Sequence, residues 1–355
     1  MHPEHLYLHF PFCTGRCTYC AFVSGPPPKQ PERIPAQLLE EYLQRGIELH
    51  PLKTLYCGGG TPALLGERGF ETLRTLPFMQ FADGYEWTVE MHPAAVTPAL
   101  IRTLRDIGVT RLSIGVQSFD DHILKRCNRR HTVRQALDAI DTARAAIPDT
   151  GIDLIAGLPG VDATLWEATV NQTIALDLPH ISVYGLSIDE GSHWHQEGLS
   201  PPDADRVCDA LTLMASALAD AGLTRYEISN YAKDGFRCQH NLNTWRGGDY
   251  LGLGRGAASR LGALRRYGNG TEEILDLLSD ALERTFTSLR TDDGFHPEAI
   301  IAHFPLLAPA LPQWQKILQT ARTYGLLTEK NAPTNRGFEI VDAIERELLA
   351  CIENL

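Results

Sequence analysis

The stretch His5-Leu6-Tyr7-Leu8-His9-Phe10, running on through Pro11-Phe12 into Cys13-Thr14-Gly15-Arg16-Cys17-Thr18-Tyr19-Cys20, decides how the rest of the chain is read. Its first six residues are a short apolar and aromatic run, the pattern of a β-strand. The strand empties into a loop that carries three of the chain's eight cysteines; the other five are scattered. Three thiols this close point to metal ligation. A structural zinc site takes four protein ligands, usually as two separated pairs. Ferredoxin-type clusters also take four thiolates. No fourth ligand sits nearby at such spacing, although His9 is close in sequence. Three thiolates on a tight loop instead suit a [4Fe–4S] cluster with one iron open to an outside ligand, with zinc or a chance grouping as the alternatives.

Composition sets the frame around that loop. The chain has 355 residues, 43% hydrophobic and 21% charged, enough for one large domain and a small one. A formal net charge of −12 argues against nucleic acid as a partner, since such binders carry a basic footprint. No apolar run reaches the roughly 18 residues of a membrane span, and Met1-His2-Pro3-Glu4-His5 lacks the features of a signal peptide. A cytoplasmic, reducing location is the expectation, and there cysteines are thiols or metal ligands rather than disulfides.

Further strand-like runs follow at Lys53–Cys57, Glu86–Met91, Arg111–Val116, Gly151–Ala156, His180–Leu186 and Thr224–Ser229. Helical periodicity fills the gaps at Pro35–His50, Glu67–Leu76, Pro98–Ile107, Val133–Ile147, Ala163–Leu176 and Asp203–Ala221. Thr97-Pro98 and Thr132 are helix starts, and Gly108 and Gly222 are helix stops. Six strand–helix units with a further strand imply an α/β fold with a parallel sheet, an open or partial (β/α)6 TIM-like barrel. A doubly wound sheet is the alternative. Three regions are expected: a barrel core over 1–230, a connecting segment over 231–265, and a small, mainly helical C-terminal domain over 266–355. Within the last, Glu272–Leu289, Pro297–His303, Pro312–Tyr324 and Gly337–Leu355 are expected to be helical, with a winged-helix-like hairpin near Leu326–Ile340.

The candidate chemistry falls at the C-terminal ends of strands, where a (β/α) scaffold builds its sites. Gly58-Gly59-Gly60-Thr61-Pro62 follows the second strand; it lacks the Gly-Lys-Ser/Thr ending of a phosphate loop, and serves either close backbone contact with a ligand or a tight turn. Glu90 ends the third strand and Gln117 follows the fourth. Asp153 lies inside an apolar strand, where an unpartnered carboxylate is costly. Cys238, His240 and Trp245 are read as a loop able to hold a planar cofactor with an axial imidazole, the plainer reading being a surface histidine. Gly252-Leu253-Gly254-Arg255-Gly256 is discounted as a dinucleotide fingerprint for want of a strand leading into it, and His193 and His195 are read as loop residues rather than a metal pair.

Tyr7–Cys20 resembles the opening motif of radical S-adenosylmethionine (SAM) proteins, in the branch that holds oxygen-independent coproporphyrinogen III oxidase and the HemW-type heme chaperones. Matching stretches are Gly58–Pro62, Glu90–Pro93, Arg111–Phe119, Asp153–Pro159 and Tyr226–Asn230. The resemblance covers about residues 5 to 260. It implies a radical SAM barrel, with Cys13, Cys17 and Cys20 as cluster ligands. Tyr7, Tyr19, Gly59, Gly60, Thr61, Glu90, Gln117, Arg129 and Asp153 become SAM contacts. In members that turn over, reduction of the cluster cleaves the sulfonium to a 5′-deoxyadenosyl radical. The oxidase has a fourth cysteine two residues after the third, where this chain has Phe22, and a longer segment before the cysteines. Both differences favour the chaperone type. That type carries a His-Asn-x-x-Tyr-Trp heme motif, matched here by His240, Asn241 and Trp245 with Thr244 in place of tyrosine. The implied cofactors are the cluster, SAM and heme. The implied partners are a heme-accepting protein and an electron donor, with transient contact to membrane-bound acceptors. The alternative is an enzyme that decarboxylates coproporphyrinogen III or acts on a related tetrapyrrole.

Overall fold

The computed structural model describes residues 2–353. The first six strand–helix units run β1 His5–Phe10, α1 Ile34–Arg45, β2 Leu52–Gly59, α2 Gly66–Arg74, β3 Phe81–Met91, α3 Pro98–Asp106, β4 Arg111–Gln117, α4 Asp121–Arg126, α5 Val133–Arg144, β5 Asp149–Ala156, α6 Ala163–Ala175 and β6 His180–Gly185. The six strands pair in parallel and in chain order, as a partial, open (β/α) barrel requires. Helix starts follow local chemistry. Thr97 accepts the Leu100 amide, and Thr132 and Gln135 cap each other reciprocally.

Alternation along the strands divides the sheet into two unlike faces. Leu6, Leu8, Leu55, Trp87, Val89, Leu112, Ile114, Ile152, Leu154 and Ile181 point outward into the core beneath the helices and are buried. Each such side chain contributes about 2 kcal/mol. The residues between them, among them Tyr7, Thr54, Tyr56, Glu86, Thr88, Glu90, Arg111, Ser113, Asp153, His180 and Ser182, face the concave side. The concave face is thus polar along its length.

Three corrections concern the segment that follows. After α7 His193–Gln196 and α8 Ala204–Asp220, the expected seventh parallel strand breaks into β7 Thr224–Arg225 and β8 Asn230–Ala232. These pair antiparallel with each other, and β8 runs antiparallel to β6, because Tyr226–Ser229 turns the chain back. Residues 239–245 form a helix, α9 Gln239–Trp245, and not a loop. Then β9 Leu251–Leu253 pairs in parallel with β1 and closes the other sheet edge. A strand therefore does lead into Gly254 and Gly256, but a strand follows them rather than the helix that a dinucleotide turn needs.

Strands β10 Ser259–Leu261, β11 Leu264–Arg266 and β12 Glu272–Ile274 form a small antiparallel sheet that periodicity did not reveal. The helix expected from Glu272 begins only at α10 Leu277–Ser288, because Asp276 caps it by accepting the Ser279 amide at 2.7 Å. α11 Pro297–His303, α12 Leu311–Thr323, α13 Asn335–Glu339 and α14 Val341–Glu353 complete the chain around a second core that includes Phe295, Phe304, Trp314 and Leu348. The expected hairpin near Leu326–Ile340 reduces to one bridge, Leu327 to Pro333, followed by α13. The run from Gly337 breaks at Ile340, and its last two residues lie outside the described ones. Among the described residues no helix is long and apolar enough to cross a membrane.

Candidate functional site

The C-terminal ends of the parallel strands open onto a cavity of about 420 Å³. Of the twelve residues expected to hold the cluster and SAM, eleven line it: Cys13, Cys17, Cys20, Tyr19, Gly59, Gly60, Thr61, Glu90, Gln117, Arg129 and Asp153. The cysteine loop is pinned at its base, where the Cys13 amide donates to the Gly25 carbonyl (2.9 Å) and the Gly25 amide to Pro11 (2.8 Å). Gly60 packs directly beneath it. Its amide donates to the Phe10 carbonyl at 2.9 Å, and a Cβ there would lie 2.5 Å from the Phe12 carbonyl oxygen. Only glycine fits that contact. The Thr61 hydroxyl approaches Cys13 Sγ at 3.9 Å. Burial raises the Cys13 and Cys20 thiols above the usual range. Among the described residues no three His, Cys, Asp or Glu side chains converge on a single ion.

Two carboxylates stand opposite. Glu90 accepts the Tyr56 hydroxyl at 2.8 Å on one oxygen and the Gly59 amide at 3.0 Å on the other. Burial, and then the nearby Asp153 carboxylate, push Glu90 up to about 7. Asp153 accepts the Ser113 hydroxyl at 2.9 Å and is itself raised by burial. Two buried acids held this way favour a cationic ligand, whose charge would restore the ionised forms. Gln117 sits at a φ of 71° at the end of β4, a conformation disfavoured for any residue with a Cβ. Such strain at a cavity wall is the mark of a side chain held for a purpose.

The twelfth residue, Tyr7, lies below the cavity rather than in its wall: its hydroxyl bonds His9 Nδ1 at 2.9 Å and its ring stacks on Tyr56. His92, two residues past Glu90, also lines the cavity. Its Nδ1 accepts the Ala94 amide at 3.1 Å, and burial holds it down at about 3, so it is neutral. Its signal in the sequence was its place two residues past Glu90, just beyond the strand end. Phe22 sits at the rim with 67% of its surface exposed.

The other end of the concave face is filled by protein. α9 plugs it, and Glu86 caps the plug by accepting the Gln239 amide at 2.7 Å and the His240 amide at 3.1 Å. His240 is 5% exposed, its Nδ1 bonded to Thr54 at 2.7 Å and its ring against Tyr56. Burial keeps it neutral, down at about 3. Trp245 donates its indole N–H to Glu227 at 2.8 Å. His240, Asn241 and Trp245 therefore do not line the cavity; they lie on α9, a helix and not the expected loop, and His240 is buried. His193 and His195 lie in α7, with His193 paired to Glu197 at 3.2 Å.

Residues 7–172 match the model of the radical SAM superfamily. The chain is 32% identical over 315 residues to the heme chaperone HemW of Lactococcus lactis, covering 82% of this chain and 83% of that one. It is 36% identical over 268 residues to the heme chaperone HemW of Escherichia coli, covering 73% and 70%. The coproporphyrinogen III oxidase HemN of Escherichia coli, a radical SAM enzyme, superposes with a TM-score of 0.79 at 21% identity, over 99% of this chain and 90% of that one. At that identity the likeness is one of fold.

Proposed function

Because the chain belongs to the radical SAM superfamily and, within it, to the family of the HemW heme chaperones, we propose that it is a heme chaperone that binds heme and delivers it to an acceptor protein. Membership of the superfamily implies a [4Fe–4S] cluster and SAM as cofactors. The donor set supports both. Three thiols on one loop would hold three irons, and the open iron would take the SAM amino and carboxylate groups. Glu90 and Asp153, both acids in search of a cation, would hold the positively charged ligand in place. Cluster and ligand together supply one-electron chemistry when bound. Gly59 and Gly60 let the β2 loop pack close, and Tyr19 and Thr61 close the wall around the thiols.

The observation that carries the chaperone over the oxidase is Phe22. The position where the oxidase has a fourth cysteine holds an exposed phenyl ring here, with no thiol to offer. Ligation of heme iron by His240 would take α9 out of the barrel and strip Glu86 of two amide donors. The reading therefore rests on the family and on Phe22, not on that motif. The acceptor, the electron donor and a cytoplasmic, membrane-adjacent setting belong to the same proposal.

Heme added to the purified protein tests it. A Soret band that survives gel filtration, with heme then lost to an acceptor, is the expected result. Anaerobic conversion of coproporphyrinogen III with SAM and a reductant would make the oxidase the primary role instead.

A further inference from the structure

The cysteine loop is bolted to one turn of chain. The turn after α4, Arg126–Arg129, meets the loop at four points. The Thr18 amide donates to the Cys127 carbonyl at 3.2 Å, and the Thr18 hydroxyl to the Arg126 carbonyl at 3.3 Å. Asn128 Nδ2 donates to the Arg16 carbonyl at 2.7 Å. Arg129 Nη1 donates to Cys17 Sγ at 3.6 Å. Asn128 takes a left-handed φ of 54°, which bends the chain so that Arg129 points back into the sheet. There Nη2 donates to the Gly115 carbonyl and fixes the guanidinium plane, while Nε is buried and has no acceptor. A buried guanidinium with one N–H free, set against a sulfur, suits an anionic cluster in that space.

We infer that Arg129 is a positioning residue for the cluster itself: it donates to the Cys17 sulfur and places a fixed positive charge beside it, which raises the reduction potential of the cluster. The resemblance assigned Arg129 to SAM; this role is separate and does not need that ligand. It rests on the reading of Cys17 as a cluster ligand. Hydrogen bonds to ligating sulfurs and local charge are the levers by which proteins set such potentials. Removing both favours the oxidised cluster.

The test is a redox titration of the anaerobically reconstituted full chain, followed by electron paramagnetic resonance, without SAM. Omitting SAM means that a role confined to holding it leaves the reading unmoved. In Arg129→Gln the cluster loads and its hold on the electron weakens at least tenfold, a midpoint lower by about 59 mV. Arg129→Lys keeps the charge but not the fork, and falls between the two. A midpoint equal to the native value in both variants, with iron loading intact, overturns the inference. If Arg129→Gln takes up no cluster, the lysine variant and Asn128→Ala carry the test, each expected below the native midpoint, and native values in both overturn it. Failure of the native chain to load iron, by contrast, removes the reading of the cysteines and not the role of Arg129 alone.

Discussion

The two ends of the concave sheet face are built from the same chemistry and end differently. At one end Glu86, Arg111 and His180 are buried beside the half-buried Asp149, and the chain itself packs over them. Glu86 caps α9, His180 bonds the Tyr226 hydroxyl at 2.8 Å, and Arg111 lies 3.9 Å from Asp149. At the other end Glu90 and Asp153 keep raised pKa values, Gln117 keeps a strained backbone, and Arg129 keeps an unpaired Nε. Polar burial alone does not mark a site. Neither end finishes its own hydrogen bonding, since Arg111 Nε, Asp149 Oδ1 and His180 Nδ1 lack partners just as Arg129 Nε does; what separates the two ends is that α9 fills one, while the other opens as a cavity.

Substitutions on either side should break this comparison in opposite ways. The largest effect is expected from Cys17→Ala, which abolishes iron and sulfide uptake on reconstitution while leaving the unfolding midpoint of the metal-free protein where it was. At the plugged end, Glu86→Ala leaves the Gln239 and His240 amides without their acceptor, and costs about 3 kcal/mol in denaturant unfolding. SAM binding, followed by calorimetry, should survive it. His240→Ala removes a packed ring and its bond to Thr54, and costs about 2 kcal/mol. Its heme titration should keep the native stoichiometry; loss of heme at unchanged stability would instead restore His240 as a ligand.

The smallest effect is a pH dependence. With Glu90 near 7 in the free cavity, a cationic ligand must ionise it, so SAM affinity rises as pH rises through 7. Between pH 6 and pH 8 the gain is about tenfold, and Glu90→Gln flattens the profile. The stability of the free protein runs the other way. A carboxyl raised in the folded state adds stability below its unfolded value near 4.5, and that stability is lost as pH rises through about 7. A flat affinity profile in the native chain would remove Glu90 from the ligand's surroundings.

Much of the barrel was legible because its signals are local. His5–Phe10 was read to the residue, and Thr97, Thr132 and Gly108 set helix boundaries within a turn of those observed. The cavity residues were legible because strand ends place them together. α9 was not, since seven residues show little periodicity and its cap, Glu86, lies 153 residues away from Gln239. The strands β10–β12 were missed for a related reason: three residues each are too few for an alternation to appear. The helical pattern runs on across Asp276, the residue that in fact caps α10. Tyr7 and Tyr56 are register partners on the concave face, and it is Tyr56 that bonds Glu90.

One feature of the sheet bears on the order in which the protein is made. Strand β1 carries the cysteine loop, and its outer edge is covered by β9, about 245 residues later in the chain. At synthesis rates of roughly 5–20 residues per second, that edge stays bare for roughly 12–50 s after β1 has left the ribosome. Until residues 251–253 emerge, the nascent chain presents an unpaired strand beside three reactive thiols. Metal loading and strand closure are thus separated in time, and a cell that supplies iron and sulfide must protect or wait for a chain whose cysteine-bearing strand is completed only by a much later one.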